Sequence, residues 1–225
     1  MSVERSIKQY EEDRKEAARI AARLLLASAT TSPRVGGVGE CTVQILDDEC
    51  HIEDLCQAIE EMAGENEKWD FFKRDAMMLR DADAVLVVTS IRCLTDPADI
   101  NCNMCGKLTC EYQRQVPKLT REAGIAYTGP LCLFRANNIS YAIETIMSTA
   151  RNMGIDYGVF WSAGAAAMRM KLVPKNTGFC LAVGISITEK SPFRDIPKKY
   201  ADINEAAMND RIIKRLWPQF RSIYS

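Results

Sequence analysis

From Ser6 to Ala29 the apolar residues Ile7, Tyr10, Ala17, Ala18, Ala21, Ala22, Leu24 and Leu25 recur at threes and fours among charges. That period predicts a long amphipathic helix. It stops at Thr30-Thr31-Ser32-Pro33, and Arg34 to Gly39 holds three glycines that read as a loop rather than a packed element. Cys41 to Leu46 alternates apolar and polar positions and predicts a strand. Asp47-Asp48-Glu49 places carboxylates where a helix dipole favours them and opens a second helix to about Met62, with Gly64 as its stop. Phe71 to Arg80 reads as a short helix. Ala84 to Ser90 is a continuous β-branched apolar run, as expected of a central strand buried on both faces.

Periodicity then fades across residues 91–134 and returns afterwards. Ala136 to Met153 reads as a helix closed by Gly154, Tyr157 to Trp161 as a short strand, Ala163 to Leu172 as an alanine-rich helix, and Gly178 to Ile187 as a strand. Asn204 to Leu216 reads as a last helix before Trp217-Pro218. The order predicts an α/β (α+β) fold, a sheet flanked by helices on both faces. Residues 1–225 form a single domain in this reading, with residues 91–134 as an inserted cysteine-rich segment. The apolar tail residues Trp217, Phe220 and Tyr224 have little core of their own to join, which predicts a homodimer.

Composition narrows the function. Lys and Arg total 29 against 30 Asp and Glu, so no global field attracts nucleic acid or anionic lipid, and neither is an expected partner. The opening Met1-Ser2-Val3-Glu4-Arg5 is charged, without the apolar core of a secretory signal. The longest apolar runs, Leu24 to Ala29 and Phe160 to Met168, fall short of the roughly 18 residues of a membrane span. The expected location is therefore the cytoplasm. Nine cysteines in a reducing compartment point to metal, redox chemistry or core packing before disulfides. The single histidine, His51, excludes mechanisms that need two imidazoles.

Five of the nine cysteines fall within residues 91–134. Cys102, Cys105 and Cys110 can wrap one face of an inorganic cluster, and Cys132 can close the site from a separate loop, with Cys93 in reserve as fourth ligand. Gly106 lets the backbone turn tightly, and backbone N–H groups in such a loop stabilise sulfide charge. The flanking Asn, Lys and Thr residues are badly placed for a core. Zinc is the competing metal, but structural zinc sites usually show two short cysteine pairs and Cys132 has no near partner. Cys41, Cys56 and Cys180 sit among apolar neighbours and read as core, and Cys50 beside His51 as part of a helix start.

Cys102-x₂-Cys105-Gly106, Thr109-Cys110 and Gly129-Pro130-x-Cys132, with Ala27-x₄-Ser32-Pro33-x₃-Gly37 and Ser162-Ala163-Gly164, resemble the prokaryotic proteins described as containing a ferredoxin-type domain. That resemblance implies Cys102, Cys105, Cys110 and Cys132 as ligands of a [4Fe–4S] cluster. The order of elements is more faintly similar to flavin-dependent nitroreductases, which implies a nitroreductase-like sheet and FMN at a dimer interface. Lys190 and Arg194, following Gly184 to Ile187, and Ser32 after the first helix are then the candidate flavin-binding residues, although the early Arg-Arg-Ser pattern of that family is absent. The resulting expectation is an iron–sulfur redox protein, an electron-transfer oxidoreductase working with a flavin and with a redox partner protein or small-molecule substrate. The alternative is a non-enzymatic accessory module in which zinc or iron–sulfur only fixes the 91–134 segment.

Overall fold

The computed structural model describes residues 3–37, 39–91, 99–119, 127, 131–175 and 177–194. In chain order the elements are α1 (Val3–Thr30), β1 (Cys41–Leu46), α2 (Glu49–Glu65), α3 (Phe72–Arg80), β2 (Ala84–Ile91), α4 (Cys110–Leu119), α5 (Leu133–Asn152), β3 (Asp156–Phe160), α6 (Trp161–Arg169) and β4 (Thr177–Ser186). The strands form one sheet in the order β1-β2-β4-β3, every neighbouring pair antiparallel. The expected sheet flanked by helices is present, in its α+β form. The tail helix and Trp217, Phe220 and Tyr224 lie outside the described residues, as do Cys93, Gly129 and Pro130.

Alternation along the two inner strands builds two cores. Val85 and Val87 of β2 with Cys180 and Ala182 of β4 face α2, α3 and α6, where Leu55, Ile59, Met62, Phe72, Leu79 and Ala166 pack against them. Leu86 and Val88 with Val183 and Ile185 face the other way, onto Ala22 and Leu25 of α1 and Ile139, Ala142 and Ile146 of α5. This is why β2 reads as unbroken apolar sequence: both its faces are covered. Gly164 permits α6 to lie directly on β4, since a Cβ there would stand 2.3 Å from the Cys180 carbonyl oxygen.

Local chemistry fixes the helix ends. The Asp48 side chain accepts the Cys50 N–H at 2.8 Å and caps α2, so the carboxylates expected at that start are where the dipole favours them. Gly64 does not stop α2: the helix continues to Glu65 and ends at extended Asn66. Gly64 lacks the left-handed backbone that would make it a stop, and one glycine in a last turn costs only about 1 kcal/mol against alanine. Trp161 belongs to α6 rather than to the strand, and α6 ends before Lys171, which takes a left-handed φ of 60° in place of glycine. Helix α4 was not legible as an element.

Candidate metal centre

The described part of the segment between β2 and α5 delivers Cys102, Cys105, Cys110 and Cys132 to one end of the sheet. Asn101, Asn103 and Gly106 all have positive φ, at 51°, 60° and 74°. Asn tolerates that region better than most residues, so the two asparagines and the glycine turn the chain tightly on either side of Cys102 and Cys105. The Asn101 side-chain oxygen accepts the Cys110 N–H at 2.8 Å, tying the start of the loop to the start of α4. The Asn103 amide, oriented with its nitrogen inward, donates to the Lys107 and Leu108 carbonyls at 2.9 and 3.0 Å. The Thr109 hydroxyl accepts the Tyr112 N–H at 3.1 Å and caps α4.

Cys102, Cys105, Cys110 and Cys132 all line one pocket, together with Asp99, Lys107, Arg114 and Arg135. Two of the four stand at helix N-termini: Cys110 is the first residue of α4 and Cys132 the residue that precedes α5. Both positive dipole ends therefore face the thiols. Arg114 is paired with Asp99, and Arg135 donates to the Ile91 carbonyl, so the wall holds three cations against one carboxylate. Among the described residues no three Cys, His, Asp or Glu side chains converge closely enough to hold a single metal ion.

Burial separates these thiols from Cys50, Cys56 and Cys180, though not from Cys41. All four pocket cysteines are half-buried, whereas Cys56 and Cys180 are wholly buried and Cys50 is exposed. Burial pushes the Cys56 and Cys180 thiols up to about 12, which keeps them protonated and inert. Cys41, half-buried, is also raised by burial, with Arg34 and Arg135 pulling the other way. Core packing for Cys41, Cys56 and Cys180, and a helix-start place for Cys50, agree with their sequence context.

The residues expected to hold a flavin do not come together within the chain. Ser32 is buried, donates to the Ala29 carbonyl at 2.7 Å and accepts from Arg34, closing the end of α1. The loop after it docks on α5, where the Asn138 side chain accepts the Val35 N–H at 2.8 Å. That places Ser32 at the Cys41–Ser90 end of the sheet. Lys190 and Arg194 belong to the other end, where the Ile187 N–H donates to Asp83 ahead of β2. The length of β2, about 25 Å at 3.3 Å per residue, separates them. Arg194 is engaged by Asp156 at 3.4 Å and lies over the Tyr157 ring.

Sequence reasoning missed Asn101, Asn103, Arg135 and α4. The asparagines flanking the cysteines were a readable signal, because Asn is enriched at left-handed positions. It also missed Asp75, whose carboxyl on α3 accepts from the Ser162 hydroxyl on α6 at 2.6 Å.

Residues 128–195 match the model of the family described as uncharacterized proteins containing a ferredoxin domain. An uncharacterized protein of Archaeoglobus fulgidus is 30% identical over 185 residues, 82% of this chain and 95% of that protein. The chain belongs to this ferredoxin-domain family. The family match includes Cys132, α5, β3, α6 and β4 and lies downstream of Cys102 to Cys110. Solved nitroreductase structures are similar at a lower level. A nitroreductase with bound FMN from Bacteroides fragilis NCTC 9343 gives a TM-score of 0.49 at 12% identity, over 76% of this chain and 81% of that one. An FMN-dependent nitroreductase from Clostridium difficile R20291 gives 0.43 at 15% identity, over 82% and 85%. Among the described residues no helix is long and apolar enough to cross a membrane.

Proposed function

We propose that this protein is an iron–sulfur redox protein that holds a [4Fe–4S] cluster through Cys102, Cys105, Cys110 and Cys132. The observation that carries the reading is the gathering of four half-buried thiols from two separate stretches of chain around one pocket. The donor set fits the group: four soft sulfur ligands, backed by two helix N-termini and three cations that offset negative charge. When bound, such a cluster supplies one-electron storage and transfer. The chain's own part is to present Cys110 and Cys132 at two helix N-termini and to fix the loop that carries Cys102 and Cys105 through Asn101 and Asn103.

The zinc alternative is the weaker one on cysteine spacing. Structural zinc sites usually show two short cysteine pairs. Here three cysteines lie within nine residues and Cys132 has no near partner. The residues do not assemble an FMN phosphate site within one chain.

Single replacements test the assignment. Cys102→Ala, Cys105→Ala, Cys110→Ala and Cys132→Ala, purified without oxygen, are each expected to lose visible absorption and bound iron, and Cys93→Ala to keep both. Full iron in Cys132→Ala would transfer its place to Cys93. A colourless protein carrying zinc would replace the reading with the structural module.

A further inference from the structure

Large apolar side chains stand out into solvent around the cysteine pocket. Ile100 is 61% exposed, Met104 60%, Leu108 83%, Tyr112 49% and Leu133 45%. Met104 and Leu133 are part of the pocket wall, and Ile100, Leu108 and Tyr112 each adjoin a wall residue in the chain. Scattered exposed apolar residues need no explanation, but five of them in or next in chain to the wall of one pocket do.

We propose that this collar is the docking surface for a small one-electron carrier protein with an apolar contact face; the proposal rests on the iron–sulfur reading. Area argues for that occupant over a second copy. At about 200 Å² per large side chain, the exposed parts of these five described residues amount to roughly 600 Å², below the ~800 Å² per partner of a standard stable interface and within the range of transient redox encounters. Charge argues the same way. Among the described residues the wall's three cations outnumber its one carboxylate, Asp99, and that excess offsets the negative charge of a thiolate-bound iron–sulfur centre, so the described collar presents no strong field of either sign once the centre is bound. Contact is therefore driven by apolar burial and depends little on salt. In the step itself one electron leaves the carrier's reduced cofactor and enters the cysteine-bound centre. The carrier is oxidised, the centre is reduced, and no proton or covalent bond changes hands.

The test uses the full-length protein and the double variant Ile100→Ser with Leu108→Ser, neither residue being in the pocket wall. Photoreduced flavodoxin is the protein donor and dithionite the small-molecule donor. The variant is expected to keep its iron and visible spectrum and to be reduced by dithionite at the wild-type rate, while its reduction by flavodoxin slows at least tenfold. The wild-type flavodoxin rate is expected to change less than twofold with ionic strength. As a readout independent of the metal, wild-type protein is expected to broaden the amide resonances of ¹⁵N-labelled flavodoxin and the variant not to. Equal flavodoxin rates or equal broadening would overturn the proposal, and so would a wild-type dimer that the two substitutions dissociate. Loss of iron with flavodoxin binding intact would remove the iron–sulfur reading and leave the docking surface standing.

Discussion

The Asp75 carboxyl, closed in between α3 and α6, is pushed up to about 6 by burial, with the Ser162 hydrogen bond and the Arg74 charge holding it back. Its folded value lies above its unfolded one, so it stabilises the fold below about pH 4, and that contribution is lost as pH rises through about 6. A shift of this size corresponds to about 3 kcal/mol. Asn accepts the same Ser162 hydrogen bond and carries no charge. Thermal melts are therefore expected to show Asp75→Asn more stable than wild type at pH 7.5, with the gap narrowing below about pH 6 and closing only below about pH 4. A gap that stayed constant with pH would contradict a buried titrating carboxyl. This pair was not legible in the sequence because its members are 87 positions apart and neither belongs to a motif. The cysteines were legible for the opposite reason: three lie within nine residues, where chain geometry alone brings them to one loop.

Elements were read well where one face is apolar and poorly where the backbone is held by polar bonds. The strand Cys41–Leu46 was read residue for residue, since its alternation follows a single covered face. Helix α4 escaped because its apolar positions Tyr112, Val116 and Leu119 span only about two turns and Pro117 lies near its end; its start is set by Thr109 and by Asn101 from nine residues away. The contact of α6 on β4 has a sharper consequence. Gly164→Ala forces a methyl against the Cys180 carbonyl and the Leu181 backbone, neither of which can swing aside. Overpacking of this kind is expected to cost about 2–3 kcal/mol in denaturant unfolding, with Gly154→Ala, where space is open, as a control acting through backbone strain alone. Wild-type stability in Gly164→Ala would mean that α6 does not rest on β4.

At the scale of the molecule, the two cores and the cysteine pocket are separate. Neither buried cluster contains Cys102, Cys105, Cys110 or Cys132, while Leu86 in β2 is paired with Ile45 on one side and Val183 on the other. Removing the metal is therefore expected to strip hydrogen-exchange protection from amides near Met104 and to leave that of Leu86 in place. Equal loss at both would make the metal a support of the whole fold. The sequence order foretold the layers but not the separation of Ser32 from Lys190 and Arg194, since it says nothing of which end of the sheet a loop reaches.

Iron and acid-labile sulfide, counted per chain on protein purified without oxygen, test the central claim most directly. The account predicts about four of each, lost together when Cys110 is replaced by Ala. One zinc per chain with neither iron nor sulfide would contradict it.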